Sequence, residues 1–502
     1  MKAATRRDFL RRSMLGGLAL GLPALAPGGQ RRAKAAGANS DIRLAILGLG
    51  GINIVGSVGG RGRQLIAELR NMSGVRIAAL CDVDQAILSH GVALVKERYG
   101  KVAAYSDLRK LLDDKSIDAV AVALPNHWHS LAALWACQAG KDVYVEKPFS
   151  QSIWEGRQVV AAARKYGRIV QTGTQSRSSP ALLQAFADLK SGLLGPIRYA
   201  HAIVYRPRDG IGKVGAAMPI PPTVDYDLWC GPTAKAPLMR KDLHYHWHWF
   251  WATGNGELGN NGVHDIDVCR WALGQSGPPP RVLSIGGRFG PADDGQTANT
   301  QLVWLDYQPA PLICEIRNLY CAAGVDTIGK FHGLRSGVVI ECEGGSFAGG
   351  PAGGTLTDRE GRVVKKVDNG AGPGDPVAAH LANFLAAVRS RKTADLHAEA
   401  QVGHVSATCC HLGNISYRLG RQAAPEAIME QIRANAPLAD ACQRCGEHLR
   451  ANGVDLTATP AAVGPCLTFD PQQEQFVGEF AAAANKLARR DDRPPFVVPQ
   501  LA

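Results

Sequence analysis

A near-continuous apolar run, Ile42 to Leu47, leads into Gly48-Leu49-Gly50-Gly51, and this junction constrains the fold more than any other stretch of the chain. An unbroken apolar strand is one buried on both faces, as in a parallel sheet covered by helices. A glycine turn directly after it lets backbone N–H groups approach a pyrophosphate at the next helix start. The alternation then continues. Leu65, Leu69 and Met72 share one helical face in Gln64 to Met72, and Val75 to Cys81 is a second apolar run. Leu88, Val92, Val95 and Tyr99 return at helical spacing. Ala119 to Leu124 and Val143 to Val145 read as strands, and Ser130 to Ala139 and Ile153 to Tyr166 as helices. Repeated βα units over residues 41–170 predict an α/β fold with a Rossmann-type, doubly wound parallel sheet.

After Gly173 the character changes. Ile197 to Val204, Val282 to Arg288, Gln301 to Tyr307 and Ile313 to Tyr320 are strand-like and lie between Gly/Pro-rich loops. Helical patterning returns at Val377 to Arg389 and Glu399 to Leu419. Residues 171–421 therefore read as an α+β domain with a mostly antiparallel open sheet. Residues 426–463 read as a helical insertion and 464–502 as a C-terminal tail. Within the insertion, Ile428, Ile432 and Leu438 suggest one amphipathic helix, and Cys442, Cys445 and Leu449 another. Pro437 should end the first, because the residue before a proline disfavours helix. The pair reads as a surface hairpin serving a lid or a subunit contact, which allows a homo-oligomer.

Residues 1–35 do not read as fold. Arg6-Arg7-Asp8-Phe9-Leu10, a mild apolar stretch from Met14 to Leu25, and Ala33-Lys34-Ala35 have the order of a signal peptide. The paired arginines point to twin-arginine export, with an ordinary secretory signal or an N-terminal anchor as the alternatives. The expected location is periplasmic or otherwise exported, with no membrane attachment after cleavage. This segment holds eight Lys/Arg and one acid, a net +7, so the formal charge of +12 becomes +5 without it. No basic run remains that would favour nucleic acid. The twelve cysteines are scattered and mostly in apolar contexts. Cys442 and Cys445 form the one close pair, a disulfide or a silent pair rather than a metal site.

Three positions carry the cofactor argument. The strict glycine fingerprint is broken at Asn53, but removing Ile52 to Gly60 restores Gly48-Leu49-Gly50-Gly51-Arg61-Gly62. We read those residues as an insertion in a phosphate loop. The second strand ends in Cys81-Asp82-Val83-Asp84, and an acid there hydrogen-bonds adenosine ribose hydroxyls. No Lys or Arg follows immediately to meet a 2′-phosphate, so NAD is favoured over NADP. Helix capping is the competing role for either aspartate.

Leu124-Pro125-Asn126-His127-Trp128-His129, Val145-Glu146-Lys147-Pro148, Gln171-Thr172-Gly173 and Gly262-Val263-His264-Asp265-Ile266-Asp267 follow in order. Together they resemble the glucose–fructose oxidoreductase/inositol dehydrogenase (Gfo/Idh/MocA) family, over about Ile42 to Arg421 plus a tail near Leu467 to Gly478. The resemblance implies cofactor contacts from Pro125, Asn126, His129, Glu146 and Lys147 beside Gly48, Gly50, Gly51, Gly62 and Asp82. It implies that Lys147 meets the reacting hydroxyl and that His264 is the acid/base. Lysine fits because a fixed ammonium lowers the cost of alkoxide-like charge. Histidine fits because imidazole titrates near neutral pH. The family often carries Asp four residues before this histidine, where the chain has Asn260. An asparagine hydrogen-bonds Lys147 but cannot balance its charge.

His244-Tyr245-His246-Trp247-His248-Trp249-Phe250-Trp251 reads as a sugar-binding loop, in which aromatic faces stack on a pyranose and histidines bond its hydroxyls. Structural aromatics and a metal site are the alternatives, since an extended segment would place the three histidines on one face. Gln175, His246, His248, Trp249 and Asp265 are the substrate candidates, and no metal is assigned. The resulting expectation is an exported NAD-dependent oxidoreductase with tightly held cofactor, acting on a sugar, sugar derivative or cyclitol. The competing readings are an NAD-assisted glycoside hydrolase or lyase working by transient oxidation, and a non-catalytic sugar-binding protein.

Overall fold

The computed structural model describes residues 41–51, 60–370 and 376–501. The segment expected to be an export signal and residues 52–59, expected to be an insertion in a phosphate loop, lie outside the described residues. β1 (Ile42–Leu47), β2 (Val75–Cys81), β3 (Ala103–Tyr105), β4 (Ala119–Val122), β5 (Asp142–Val145) and β6 (Val170–Thr172) form a parallel sheet in the order β3-β2-β1-β4-β5-β6. Ile42, Leu44 and Ile46 enter the core on one face of β1, and Ala45 and Leu47 that on the other. Burial on both faces is why the strand reads as one apolar run. The strand order reverses between β1 and β4, the position at which such sheets open a crevice for ligands. β3 and the helix Leu108–Asp113 escape the sequence reading because they are three and six residues long.

The second sheet has twelve strands. Its main path is β14-β13-β12-β11-β7-β10-β9-β8-β16-β15. These are β7 (Ile197–Tyr205), β8 (Arg281–Gly287), β9 (Thr300–Leu305), β10 (Leu312–Arg317), β11 (Ser336–Cys342), β12 (Gly345–Gly350), β13 (Gly353–Asp358), β14 (Val363–Asp368), β15 (Arg421–Gln422) and β16 (Ala462–Val463). β17 (Leu467–Asp470) pairs with β8 and with β18 (Gln475–Val477). Among the described residues, only the β7–β10 pair of this sheet is parallel. Along β10, Leu312, Cys314 and Ile316 face the helices Val263–Ala272 and Ala400–Arg418, while Ile313 points to the other side.

That other side is covered. The helices Pro425–Ile432 and Ala436–Ala451 bring Ile428, Ile432, Leu438 and Cys445 against Leu283, Ile285, Leu302 and Ile313. The hairpin is part of the core rather than a lid. Pro437 does not end its first helix. It occupies the first turn of the second, where a missing N–H costs nothing, and Asn435 caps that helix. Leu438 accordingly belongs to the second helix. Arg444 reaches the fully buried Glu315 of β10 at 2.9 Å, and His201 Nε2 stands 3.1 Å from the same carboxylate. His201, Arg317 and Arg444 hold the Glu315 carboxyl well below the usual range. Cys442 and Cys445 are both free thiols.

Two segments cross the expected domain boundary. The helix Val377–Ser390 packs Leu381, Phe384 and Leu385 onto Ile42, Leu44 and Ile46 of the first sheet. The C-terminal tail, after β18, packs Phe496 on Trp128 and pairs Arg490 with Glu155, both in the first domain. Among the described residues no helix is long and apolar enough to cross a membrane.

Candidate active site

The carboxyl ends of β1, β2, β4 and β5 and the adjoining ends of β7 and β11 line one cleft of about 520 Å³. In its first half the chain turns tightly at Gly48 (φ 84°) and Gly50 (φ 76°), a left-handed backbone that glycine adopts without strain. A Cβ on Gly62 would lie 1.9 Å from Gly48 O, so the helix Arg61–Leu69 can seat on this turn only with glycine there. Close helix–strand packing is the task of the last glycine in the fingerprint, and Gly62 performs it across the inserted residues. Gly51 is buried and does not line the cleft.

Asp82 accepts hydrogen bonds from Leu49 N (2.8 Å) and Asp84 N (3.0 Å). Burial pushes its carboxyl upward. Each oxygen keeps a lone pair for a ribose hydroxyl. Capping falls to Asp84, which accepts from Ala86 N at 3.0 Å. Asp107 also lines the cleft, ion-paired with Arg109 at 2.8 Å. Pro125 and Asn126 line the cleft, and Asn126 Nδ2 donates to Asn255 Oδ1 at 3.0 Å. His129 lines it too, but its two ring nitrogens stand 2.7 Å from Leu124 O and Pro148 O, which makes it a brace between two strand ends. Glu146 accepts from Arg61 Nε at 2.6 Å. The glycine cradle, the backbone-anchored Asp82 and this braced wall fit a dinucleotide.

The second half holds the reactive groups. Lys147 Nζ donates to Asn260 O at 2.5 Å and approaches Asn260 Oδ1 at 3.3 Å. Asn260 sits in a π-helical turn, Leu258–Gly262, of the kind often found at functional sites. Desolvation lowers Lys147 to about 8. His264, in the helix Val263–Ala272, opens on the cleft with no hydrogen-bond partner for its ring among the described residues. Burial first, then the positive charge of Lys147, holds it well below its ordinary value, so the imidazole is neutral at neutral pH. Asp265 lines the same wall, accepts from Ser336 Oγ at 3.4 Å, and is pushed by burial to about 8. Gln175 lines the cleft with its buried Oε1 unpartnered.

The aromatic segment departs from expectation. Residues His246–Trp249 form a 3-10 turn, not an extended strand, so the three histidines diverge. His244 reaches Asp84 at 3.0 Å, His246 Nδ1 accepts from Asp242 N at 3.4 Å, and His248 stacks on Trp247 at the cleft wall. His246 and Trp249 do not line the cleft, and Trp249 is buried beneath Arg208. His248 does line it, and burial lowers it to about 3. Among the described residues no three His, Cys, Asp or Glu gather to hold a metal.

Three residues were missed by the sequence reading. Glu257 is fully buried and takes hydrogen bonds from Asn260 Nδ2 (3.5 Å), Asn261 Nδ2 and Arg208 (3.1 and 3.3 Å). It stands behind Asn260, so the carboxylate absent at 260 is present one layer deeper. Arg206 and Arg208 follow β7 directly and line the cleft. A reading keyed to contiguous motifs gave them no signal.

Residues 42–174 match the model described as "Oxidoreductase family, NAD-binding Rossmann fold", and residues 210–300 match that family's C-terminal alpha/beta domain. The chain is 32% identical over 205 residues to inositol 2-dehydrogenase 2 of Saccharopolyspora erythraea, covering 41% of this chain and 48% of that protein. It is 28% identical over 150 residues to an alpha-N-acetylgalactosaminidase of Shewanella oneidensis, covering 29% and 33%. The chain thus matches about half or less of the length of these curated relatives. Its fold resembles that of the WlbA dehydrogenase from Bordetella pertussis, solved with NADH and UDP-GlcNAcA. The TM-score is 0.55 at 18% identity, over 75% of this chain and 97% of that one. Residues 42–174 and 210–300 thus match, in order and on one fold, the NAD-binding Rossmann domain and the C-terminal alpha/beta domain of the Gfo/Idh/MocA oxidoreductase family.

Proposed function

We propose that the protein is an exported, NAD-dependent oxidoreductase that acts on a hydroxyl of a sugar, sugar derivative or cyclitol. The observation that carries this reading is the meeting of Lys147 and an unengaged His264 in the same cleft as the glycine cradle. NAD, when bound, supplies the oxidant. His264, neutral at neutral pH, accepts the hydroxyl proton at a ring nitrogen. The Lys147 ammonium stabilises the developing oxyanion, and the Asn260 carbonyl orients it. Gln175 Oε1 offers a buried acceptor to a further hydroxyl. The relative named inositol 2-dehydrogenase supports the substrate class.

A second reading rests on Asn260, which leaves Lys147 without a directly paired carboxylate, and on the relative named as a glycosidase. It is redox-neutral cleavage of a glycoside through transient oxidation of the sugar. One screen separates the two. Free sugars, cyclitols and aryl glycosides are added to the purified protein, with the reduced-nicotinamide absorbance and the released products both followed. Net reduction of bound cofactor by a free sugar supports oxidation. Glycoside cleavage with no net change in absorbance supports the second reading and overturns the first.

Export rests on Arg6-Arg7 and the stretch that follows. Free nicotinamide is scarce outside the cytoplasm, so an exported enzyme would carry its cofactor with it. Replacing both arginines by lysine should hold the protein in the cytoplasm of a host with twin-arginine export. Unchanged export on fractionation would sink this assignment.

A further inference from the structure

Resting on the oxidoreductase reading, we propose that the substrate is an anionic sugar of the uronic-acid class, its carboxylate held by Arg206. The charges of the substrate half carry this. Arg61 is bound to Glu146, and Arg208 to Glu257 through two hydrogen bonds. Arg206 lies at the end of β7, lines the cleft, is exposed, and makes no side-chain hydrogen bond or ion pair among the described residues. It shares this wall with Asp265, Gln175 and Ser336. Lys147 has only the Asn260 oxygens for partners, both uncharged.

The acids here do not cancel these cations. Glu146 and Glu257 are committed to arginines. Asp265, the remaining carboxyl, is pushed up by burial to about 8 against the opposing pull of Arg206, makes no ion pair with it among the described residues, and hydrogen-bonds Ser336 instead. His248 and His264 are neutral. The substrate half therefore presents two cations, Lys147 and Arg206, without an ionised partner in contact. A neutral polyol would leave Arg206 unused. A single carboxylate matches the planar fork of one guanidinium, with two parallel N–H···O bonds. It leaves Lys147 free for the reacting oxygen.

The test uses the NAD-loaded protein and reads binding apart from chemistry. Tryptophan fluorescence is titrated with glucose, glucuronate, galacturonate and glucose 6-phosphate, while the reduced-nicotinamide absorbance is followed in parallel. Glucuronate or galacturonate should bind about tenfold or more tightly than glucose, weaken as salt rises, and lose that advantage in Arg206→Gln. Equal binding of glucose and both uronates overturns the proposal, as does an advantage that survives Arg206→Gln. Tighter binding of the phosphate ester than of either uronate overturns the carboxylate assignment. Arg206-dependent binding of uronate with no absorbance change for any sugar would leave the anionic ligand standing and refute oxidation instead.

Discussion

Lys147 faces two uncharged oxygens, and Glu257 reaches it through Asn260. Burial lowers the lysine's proton affinity, and Glu146 and, less strongly, Glu257 oppose that lowering. Glu257 is a positioning residue, acting through Asn260 and Arg208. Glu257→Gln should leave NAD content unchanged, lower kcat more than it alters KM, and move the alkaline limb of the rate profile down by about 1 unit. A variant whose profile overlays the wild type would show that Glu257 only packs. The profile itself follows from two directions. His264, held well below its ordinary value, is already a base at neutral pH, and Lys147 keeps its proton only below about 8. The rate of sugar oxidation should be level around neutrality and fall above about pH 8. A rate that climbs through pH 9.5 would contradict the role of the lysine. Lys147, His264 and Asn260 were legible because each lies within a few residues of a strand or helix end that carries a motif. Glu257 and Arg206 were not. Their roles depend on a π-turn and a strand end separated by about fifty residues meeting in space, which no local periodicity encodes.

Strands were the best-read elements. β1 and β2 appear at the residues where the apolar runs begin and end. β11 to β14 were missed, because their glycines and solvent-facing polar residues dilute the alternation. The helix after β4 begins at Asn126, four residues earlier than the apolar pattern suggests, since its first turn is polar and buried against the second domain. The histidine-rich segment failed for a similar reason: its 3-10 turn has a different side-chain period from a strand. The helical hairpin, expected to serve a lid or a subunit contact, was found; it packs on the second sheet, and none of residues 425–451 lines the cleft, which speaks against the lid. Its anchor is Arg444 on the buried Glu315. Arg444→Met should lower stability by about 1–3 kcal/mol, the usual cost of removing a hydrogen bond to a buried charge. NAD content and KM should not change. Denaturant unfolding and cofactor assay check both, and loss of cofactor from the folded variant would tie the hairpin to the nucleotide site.

At the scale of the molecule, two sheets are stitched together by chain that leaves one domain and packs on the other. The helix Val377–Ser390 and the tail around Phe496 both do so. The cleft lies where the first sheet's strand order reverses and the second sheet's β7 and β11 end. The fold class was legible in the sequence because βα repetition is a local pattern. The stitching was not, because it is set by long-range packing. The central claim is that this cleft oxidises a sugar hydroxyl with Lys147 and His264 as the working groups. The most direct test is single-turnover reduction of bound nicotinamide, by absorbance, in the wild type, Lys147→Met and His264→Ala, with cofactor content and thermal melt measured on the same samples. The account predicts that both variants keep NAD and fold, and reduce it about 100-fold or more slowly. Reduction at the wild-type rate in either variant would contradict it.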